Sequence, residues 1–350
     1  MQELLGRLRA LDPAASQGLR VIACFDELMA GRVGTDGLLS AAAALAGRPV
    51  GVRRGGDGTV VRVGPDGRRL APDPAATPAP TDRHVSGGIQ VWIEGGDDGP
   101  GVNDALILER LSLALAMRYE PDLSPAPRDL ALLVDGAVEP AIRREAATRR
   151  GLATGVLLRV VVAPLFAVWR THPIGPEDVV ATDFGPVHAA IIPATSPVAA
   201  SPLGIGVAVE RDELPLSFRT ALVALRLADS APDTVACADD LGVLAETLAD
   251  QPIRPRMDAD EEAVARLSGY PWGIATLDAL VRSTSVREAA RTVGIHHSTM
   301  TARIEMVTSE FGFSPLDGWA RTRVAVALLR WRVRTSRVLE LPPPVPLPAP

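Results

Sequence analysis

Apolar positions along this chain switch repeatedly between a helical period and a strand-like alternation. Residues 19–31 and 38–46 place apolar side chains every three to four positions and predict helices. Short apolar runs at 49–53, 59–63 and 87–94 predict strands. Turn signals divide them, Gly55-Gly56-Asp57-Gly58 and Pro65-Asp66-Gly67. Residues 72–80 read as a Pro/Ala-rich loop. Residues 103–119 predict a strong helix. Asn103 is placed to cap it, and Leu106, Leu108, Leu111, Leu115 and Met117 supply its apolar face. Helices flanking a small antiparallel sheet make an α+β sensor-like module over residues 15–120.

A linker follows at 121–127, and 128–151 reads as a charged helical connector that Gly151 stops, giving a helical linker over 121–151. A second α+β unit spans 152–252. In it, 156–163 is a continuous apolar strand and 164–170 a short helix. Residues 179–183 and 187–192 pair as a hairpin around Phe184-Gly185-Pro186, and 204–210 is a further strand. Amphipathic helices occupy 216–228 and 239–249. This alternation predicts a ferredoxin-type sheet layered by helices. Residues 258–338 are almost purely helical, and 341–350 form a Pro-rich tail that cannot pack as a helix. The fold class is therefore multidomain α+β with an all-α C-terminal domain.

Composition narrows the choice. A chain of 350 residues has room for about two or three domains. The net charge of −6 excludes polyanion binding by bulk electrostatics, so any nucleic-acid contact must come from a local basic surface. All 36 basic residues are Arg, which excludes a lysine Schiff base and a P-loop lysine. Cys24 and Cys237 are far apart in apolar stretches and read as buried, reduced thiols. The N-terminus lacks a secretory apolar region, and the most apolar runs are too short to span a bilayer. A cytoplasmic protein with no membrane partner is expected.

The most informative segment is 285–305. Val286 and Ala290 share one face of a first short helix, with Val293 following. Ala290 is small where a second helix must approach. Gly294 sits where a turn needs positive φ, and Ile295 is apolar beneath that turn. Met300 and Ile304 then lie one turn apart on the inner face of the second helix. The spacing predicts a helix-turn-helix, whose second helix enters the major groove of DNA. His296, His297, Ser298, Thr299, Thr301, Ala302, Arg303 and Glu305 fall on its N-terminal end or outer side and are candidate DNA contacts. Arg287 and Arg291 on the first helix are candidates for the phosphate backbone. Between 272 and 338, ten Arg face five acids, an excess of +5 in a chain of −6. The competing readings are a plain helical bundle and a zinc site at His296-His297. Adjacent helical residues point about a hundred degrees apart, and no Cys or acid has ligand spacing, so no metal is expected.

Other chemistry finds little support along the chain. Gly55-Gly56-Asp57 and Gly95-Gly96-Asp97-Asp98 invite a nucleotide cyclase, but both fall beside the N-terminal strands and read as turns. The later hairpin offers Asp183 alone, and Asp178 and Asp183 read as solvated loop acids. Gly204-Ile205-Gly206 lacks a third Gly, so no dinucleotide loop is expected. His84, His172 and His188 read as isolated. Trp92 and Trp169 read as core or interface residues. No cofactor is expected.

The C-terminal end resembles the PucR/CdaR family of bacterial transcription regulators. The likeness is carried by Thr276-Leu277-Asp278-Ala279-Leu280, Ala289-Ala290, His296-His297-Ser298-Thr299, Arg303-Ile304, Phe311-Gly312-Phe313 and the closing helix 321–331. Pro271-Trp272 and the His-His-Ser-Thr start are similar to an actinobacterial branch. Thr301 and Glu305 stand where many members carry basic residues, which weakens the expected phosphate contacts. The resemblance implies a GGDEF-like central domain through residues 205–249. It implies a GAF-like N-terminal module through Val91-Trp92-Ile93-Glu94 and Leu108-Glu109-Arg110-Leu111. The implied function is sequence-specific binding of double-stranded DNA by a homodimer or higher homo-oligomer, with or without a small-molecule effector. The rival functions are a cyclase-like enzyme and a scaffold that does not bind DNA.

Overall fold

The computed structural model of the protein describes residues 13–31, 33–54, 60–71, 83–85, 89–95, 99–117, 128–228, 235–251 and 256–340. The expected loop at 72–80, the linker at 121–127, the tail at 341–350 and most of the two Gly-Gly-Asp segments lie outside these residues. The chain divides into two compact units. One comprises residues 1–249 and 337–350, the other 250–336.

Two large cores dominate the described residues of the first unit, with smaller clusters around Val161 and Ala224. Around the first lie α1 (Pro13–Ala30), α2 (Thr35–Ala46), the strands β1 (Val50–Arg54), β2 (Val60–Val63), β3 (Arg83–Val85) and β4 (Ile89–Ile93), and α3 (Asp104–Met117). The sheet is antiparallel in the order β2-β1-β4-β3. Val52 pairs with Val61 on one side and Val91 on the other, so one face of three strands is apolar in register. Phe25, Leu28, Leu38, Leu39, Leu108 and Leu111 close over that face. The α3 helix buries Ile107, Leu108, Leu111, Ala114 and Leu115, whereas Met117, expected on this face, is 69% exposed. Asn103 hydrogen-bonds through its amide to Gln17, 3.3 Å away. Cys24 is wholly enclosed, and burial pushes its thiol up to about 12. Cys237 is only half-buried.

The second core begins with α4 (Asp129–Val134) and α5 (Pro140–Arg149), two helices where one connector was expected. They are not a free spacer: Leu130, Leu133, Ala146 and Ala147 are buried in the core. The strands are β5 (Leu158–Ala163), β6 (Val168–Thr171), β7 (Glu177–Val180), β8 (Val187–Pro193), β9 (Ala199–Ser201) and β10 (Leu203–Ile205). After these come α6 (Leu214–Leu227), β11 (Val235–Cys237) and α7 (Val243–Asp250). Five strands form one sheet in the order β11-β10-β5-β8-β7, with only β10 and β11 parallel, and α6 connects that pair. The expected hairpin is present as β7–β8. The expected short helix at 164–170 is instead a turn followed by β6, which pairs with β9. Val168, Trp169 and Thr171 favour a strand, and this local preference wins. The Gly204-Ile205-Gly206 segment serves packing. A Cβ on Gly206 would lie 2.0 Å from the Ser217 carbonyl oxygen of α6, so only glycine allows helix and strand to approach this closely.

The two acids expected to be solvated part company. Asp178 is 7% exposed on β7 and accepts from Arg128 Nε at 3.0 Å, so it is a paired interior acid rather than a solvated one. Asp183 is exposed, as expected, and meets Arg68 at 3.0 Å.

The second unit is all helical: α8 (Ala259–Ser268), α9 (Gly273–Arg282), α10 (Val286–Thr292), α11 (His297–Phe311) and α12 (Ala320–Thr335). Its core gathers Val264, Leu267, Leu277, Leu280, Ala289, Ala290, Met300, Ile304, Val307 and Leu328. Asp258 caps α8 in a reciprocal box with Glu261. Beyond α12 the chain rejoins the first unit, where Val338 and Leu339 pack into the second core. Among the described residues, no helix is long and apolar enough to cross a membrane.

Candidate functional site

The helices α10 and α11 and the turn between them form the predicted motif. Ser285 caps α10, its hydroxyl accepting from Glu288 N–H at 3.2 Å. Glu288 in turn accepts from the Thr284 N–H and hydroxyl, both at 2.7 Å. These donors hold the Glu288 carboxyl below its ordinary range. At the other end Gly294 has φ of +68°. Its N–H donates to the Arg291 carbonyl at 3.1 Å, and Ile295 N–H donates to the Ala290 carbonyl at 3.0 Å. This is the Schellman pattern, which ends a helix sharply while satisfying its last carbonyls. Ile295 packs beneath the turn against the core.

Helix α11 buries Met300, Ile304, Val307 and Phe311, a stripe at helical spacing. That fixes which side faces out. His297, Ser298, Thr299, Thr301, Ala302 and Glu305 are all exposed, as are Arg287 and Arg291 on α10. Among the described residues neither guanidinium group makes a hydrogen bond or ion pair, although Arg291 lies near enough to Glu288 to help hold its carboxyl low, so both can meet an anion. His296 is exposed but already committed. It caps α11, its Nδ1 accepting from Ser298 N–H at 3.3 Å and lying 2.8 Å from the Ser298 hydroxyl. With Nδ1 accepting, Nε2 carries the proton of the neutral ring. Arg303 differs from the rest. It is half-buried, donates to Thr276 Oγ1 at 3.2 Å and lies 5.0 Å from the centre of the Trp272 ring. It ties α11 to α9.

The basic excess read from 272–338 shrinks once the whole unit is considered. Residues 250–336 contain twelve arginines and ten acids, because Asp250, Asp258, Asp260, Glu261 and Glu262 all precede residue 272. Many of the arginines are neutralised at home. Arg330 meets Asp258 at 3.0 Å and Glu261 at 3.2 Å, and Arg334 also meets Glu261 at 3.2 Å. Arg323 pairs with Asp260, Arg332 with Asp278, and Arg266 with Glu310. Arg287 and Arg291 on α10 are left outside these ion pairs, beside the exposed end of α11, as are Arg303, which donates to Thr276, and Arg321, which donates to the Ser283 carbonyl.

In the first unit the structure joins residues that looked isolated. His172 and His188 both approach the Glu177 carboxylate, with Nε2–Oε2 distances of 3.0 and 2.8 Å. Glu27 Oε2 lies 3.3 Å from His172 Nδ1. The Trp169 ring packs against both imidazoles, with centroids 5.5 and 5.2 Å away. No sequence spacing signals this group, since α1, β7, β8 and the segment after β6 each bring one of its ionisable members. Among the described residues, no group of three or more His, Cys, Asp and Glu is arranged to hold a metal ion.

Residues 274–329 match the model of the PucR C-terminal helix-turn-helix domain. No curated protein sequence is significantly similar to the chain. Among solved structures, the chain is similar to the regulator of polyketide synthase expression from Bifidobacterium adolescentis. The identity is 14%, over 59% of this chain and 97% of that one, with a TM-score of 0.22, too low to argue a shared arrangement.

Proposed function

With a PucR-type helix-turn-helix domain at residues 274–329 as premise, we propose that the protein is a sequence-specific transcription regulator. The observation that carries this reading is the exposed, polar N-terminal end of α11, held at a sharp turn beside two uncommitted arginines. In this reading His297, Ser298, Thr301, Ala302 and Glu305 face base edges in the major groove. Arg287 and Arg291, with Thr299 at the helix start, hold phosphates. His296 and Arg303 act mainly by positioning, one capping the recognition helix and the other fixing it to α9.

The modules at 15–120 and 152–252 are read as GAF-like and GGDEF-like, joined through 121–151, with the DNA-binding domain at 258–338. They sense a signal or mediate association. Two recognition helices in a homodimer then read half-sites whose separation the dimer sets. A small-molecule effector acts by favouring one dimer geometry over another.

The test is fluorescence anisotropy with DNA from the neighbourhood of the gene, across a salt series. The double variant His297→Ala, Thr301→Ala is expected to lose about tenfold or more in selective affinity, from interactions worth about 1–3 kcal/mol each. Arg287→Ala with Arg291→Ala weakens binding to all sequences and lowers the salt slope by roughly one for each phosphate no longer neutralised. Equal, unselective binding by wild type and the His297/Thr301 variant removes α11 as the reading element.

A further inference from the structure

Where α1 ends against the second sheet, four ionisable side chains converge. Glu27 comes from α1, His172 follows β6, Glu177 opens β7 and His188 lies on β8. The side chains of Glu177 and His188 are each 2% exposed, whereas Glu27 and His172 lie nearer the rim. The end of α1 is pressed onto this group. A Cβ on Gly31 would stand 2.2 Å from Glu177 Oε2 and 2.9 Å from His172 Nε2. Trp169 forms one wall. The neighbouring charges are engaged elsewhere: Asp178 with Arg128, Asp36 of α2 with Arg69, and Asp26 of α1 with Arg110. Arg170 on β6 also has an interaction of its own. From α2, Gly37 abuts Asp178 rather than Glu177.

We propose that Glu177 and His188 form a neutral pair sharing one proton, and that this pair keeps the end of α1 seated on the second sheet. A carboxylate and an imidazolium are each costly away from water. A protonated Glu177 carboxyl donating from Oε2 to neutral His188 Nε2 satisfies both groups with no net charge, across the 2.8 Å observed. Burial pushes the Glu177 carboxyl from 4.5 up to about 7, with His172 pulling the other way. Burial pushes His188 from 6.5 down to about 4.

The signs of the two titrations oppose each other. On seating, Glu177 takes up a proton between about pH 4.5 and 7, so its contribution is lost as pH rises through that window. His188 gives up a proton between about pH 6.5 and 4, so its contribution is lost as pH falls. Across about pH 4.5–6.5 the slopes cancel. Each residue masks the pH dependence of the other.

The test is hydrogen exchange of α1 in the full chain between about pH 5 and 6.5, corrected for intrinsic exchange. Wild-type protection is expected to stay nearly flat. Glu177→Gln gains protection as pH rises, by on the order of tenfold per pH unit, because His188 alone remains of the pair. His188→Gln loses protection at a similar rate. Parallel profiles in the three proteins overturn the proposal. A second measurement needs no variant: the infrared band of a protonated carboxyl should be present in wild type at about pH 6 and gone well above 7. Its absence at the lower pH also overturns the shared proton.

Discussion

In the C-terminal unit the residues proposed to read DNA lie within one stretch, 285–305. Their spacing alone defines two helices, the turn between them and the face left outside. In the first unit the buried cluster draws on residues 27, 172, 177 and 188, and nothing near any of them in sequence announces the others. One polar site is local and stands at the surface, where water solvates whatever is unpaired. The other is assembled by the fold and sealed, so its members must satisfy one another. The lesson is that a motif can be read from spacing when the chain itself supplies the geometry. A constellation of distant side chains becomes visible only when a sheet brings its strands together.

This contrast can be pressed from either side. The largest effect is expected inside the C-terminal unit, but at a non-local point. Glu261 is buried and holds both Arg330 and Arg334. Glu261→Ala removes the buried acid that joins the two, leaving Arg330 to Asp258 alone, and should cost about 3–5 kcal/mol of unit stability. Urea unfolding read by tryptophan fluorescence measures it. A loss below about 1 kcal/mol would mean that the local motif, not the distant ion network, holds the unit.

A smaller loss is expected from Gly31→Ala in the first unit. The added methyl group must displace Glu177 and His172, at about 1–3 kcal/mol. Thermal unfolding of the variant checks it, and an unchanged midpoint would mean that the end of α1 yields without disturbing the cluster. The smallest effect belongs to Glu288→Gln. The Glu288 carboxyl is held below its ordinary range, so its contribution is present above that range and lost as pH falls through it. The variant should flatten the acid limb of unfolding slightly while leaving neutral stability almost unchanged.

Three of the four strands of the first sheet, the β7–β8 hairpin and the helix-turn-helix were legible in the sequence, since each rests on local periodicity and turn residues, whereas the short β3 was not. The misjudged charges share one physical origin. Asp178 looked solvated because Arg128, which neutralises it, stands fifty residues earlier. The contacts of Arg303 were equally hidden, because Thr276 and Trp272, which it meets, lie on or beside another helix. The basic excess looked larger because the acids at the start of the unit lie upstream of residue 272. Met117 shows a different limit. Its spacing continues the apolar face of α3, but the core ends before it does. In α11 the exposed residues were legible by position, whereas the capping role of His296 depends on the geometry of its own ring.

The unit that carries the helix-turn-helix leaves the first unit after Ala249 and returns to it at Arg337, where Val338 enters the second core. It is spliced into its host as a loop rather than hung from it as a tail. A cut at the first connection leaves the unit joined covalently only to residues 337–350, so the packing of Val338 and Leu339 is then all that keeps it with the host. If the unit unfolds, its ends stay leashed to the host, which limits the conformations open to the chain and eases refolding. Shortening the chain just before Val338 would therefore remove a fastening of the first unit while leaving every residue of the second.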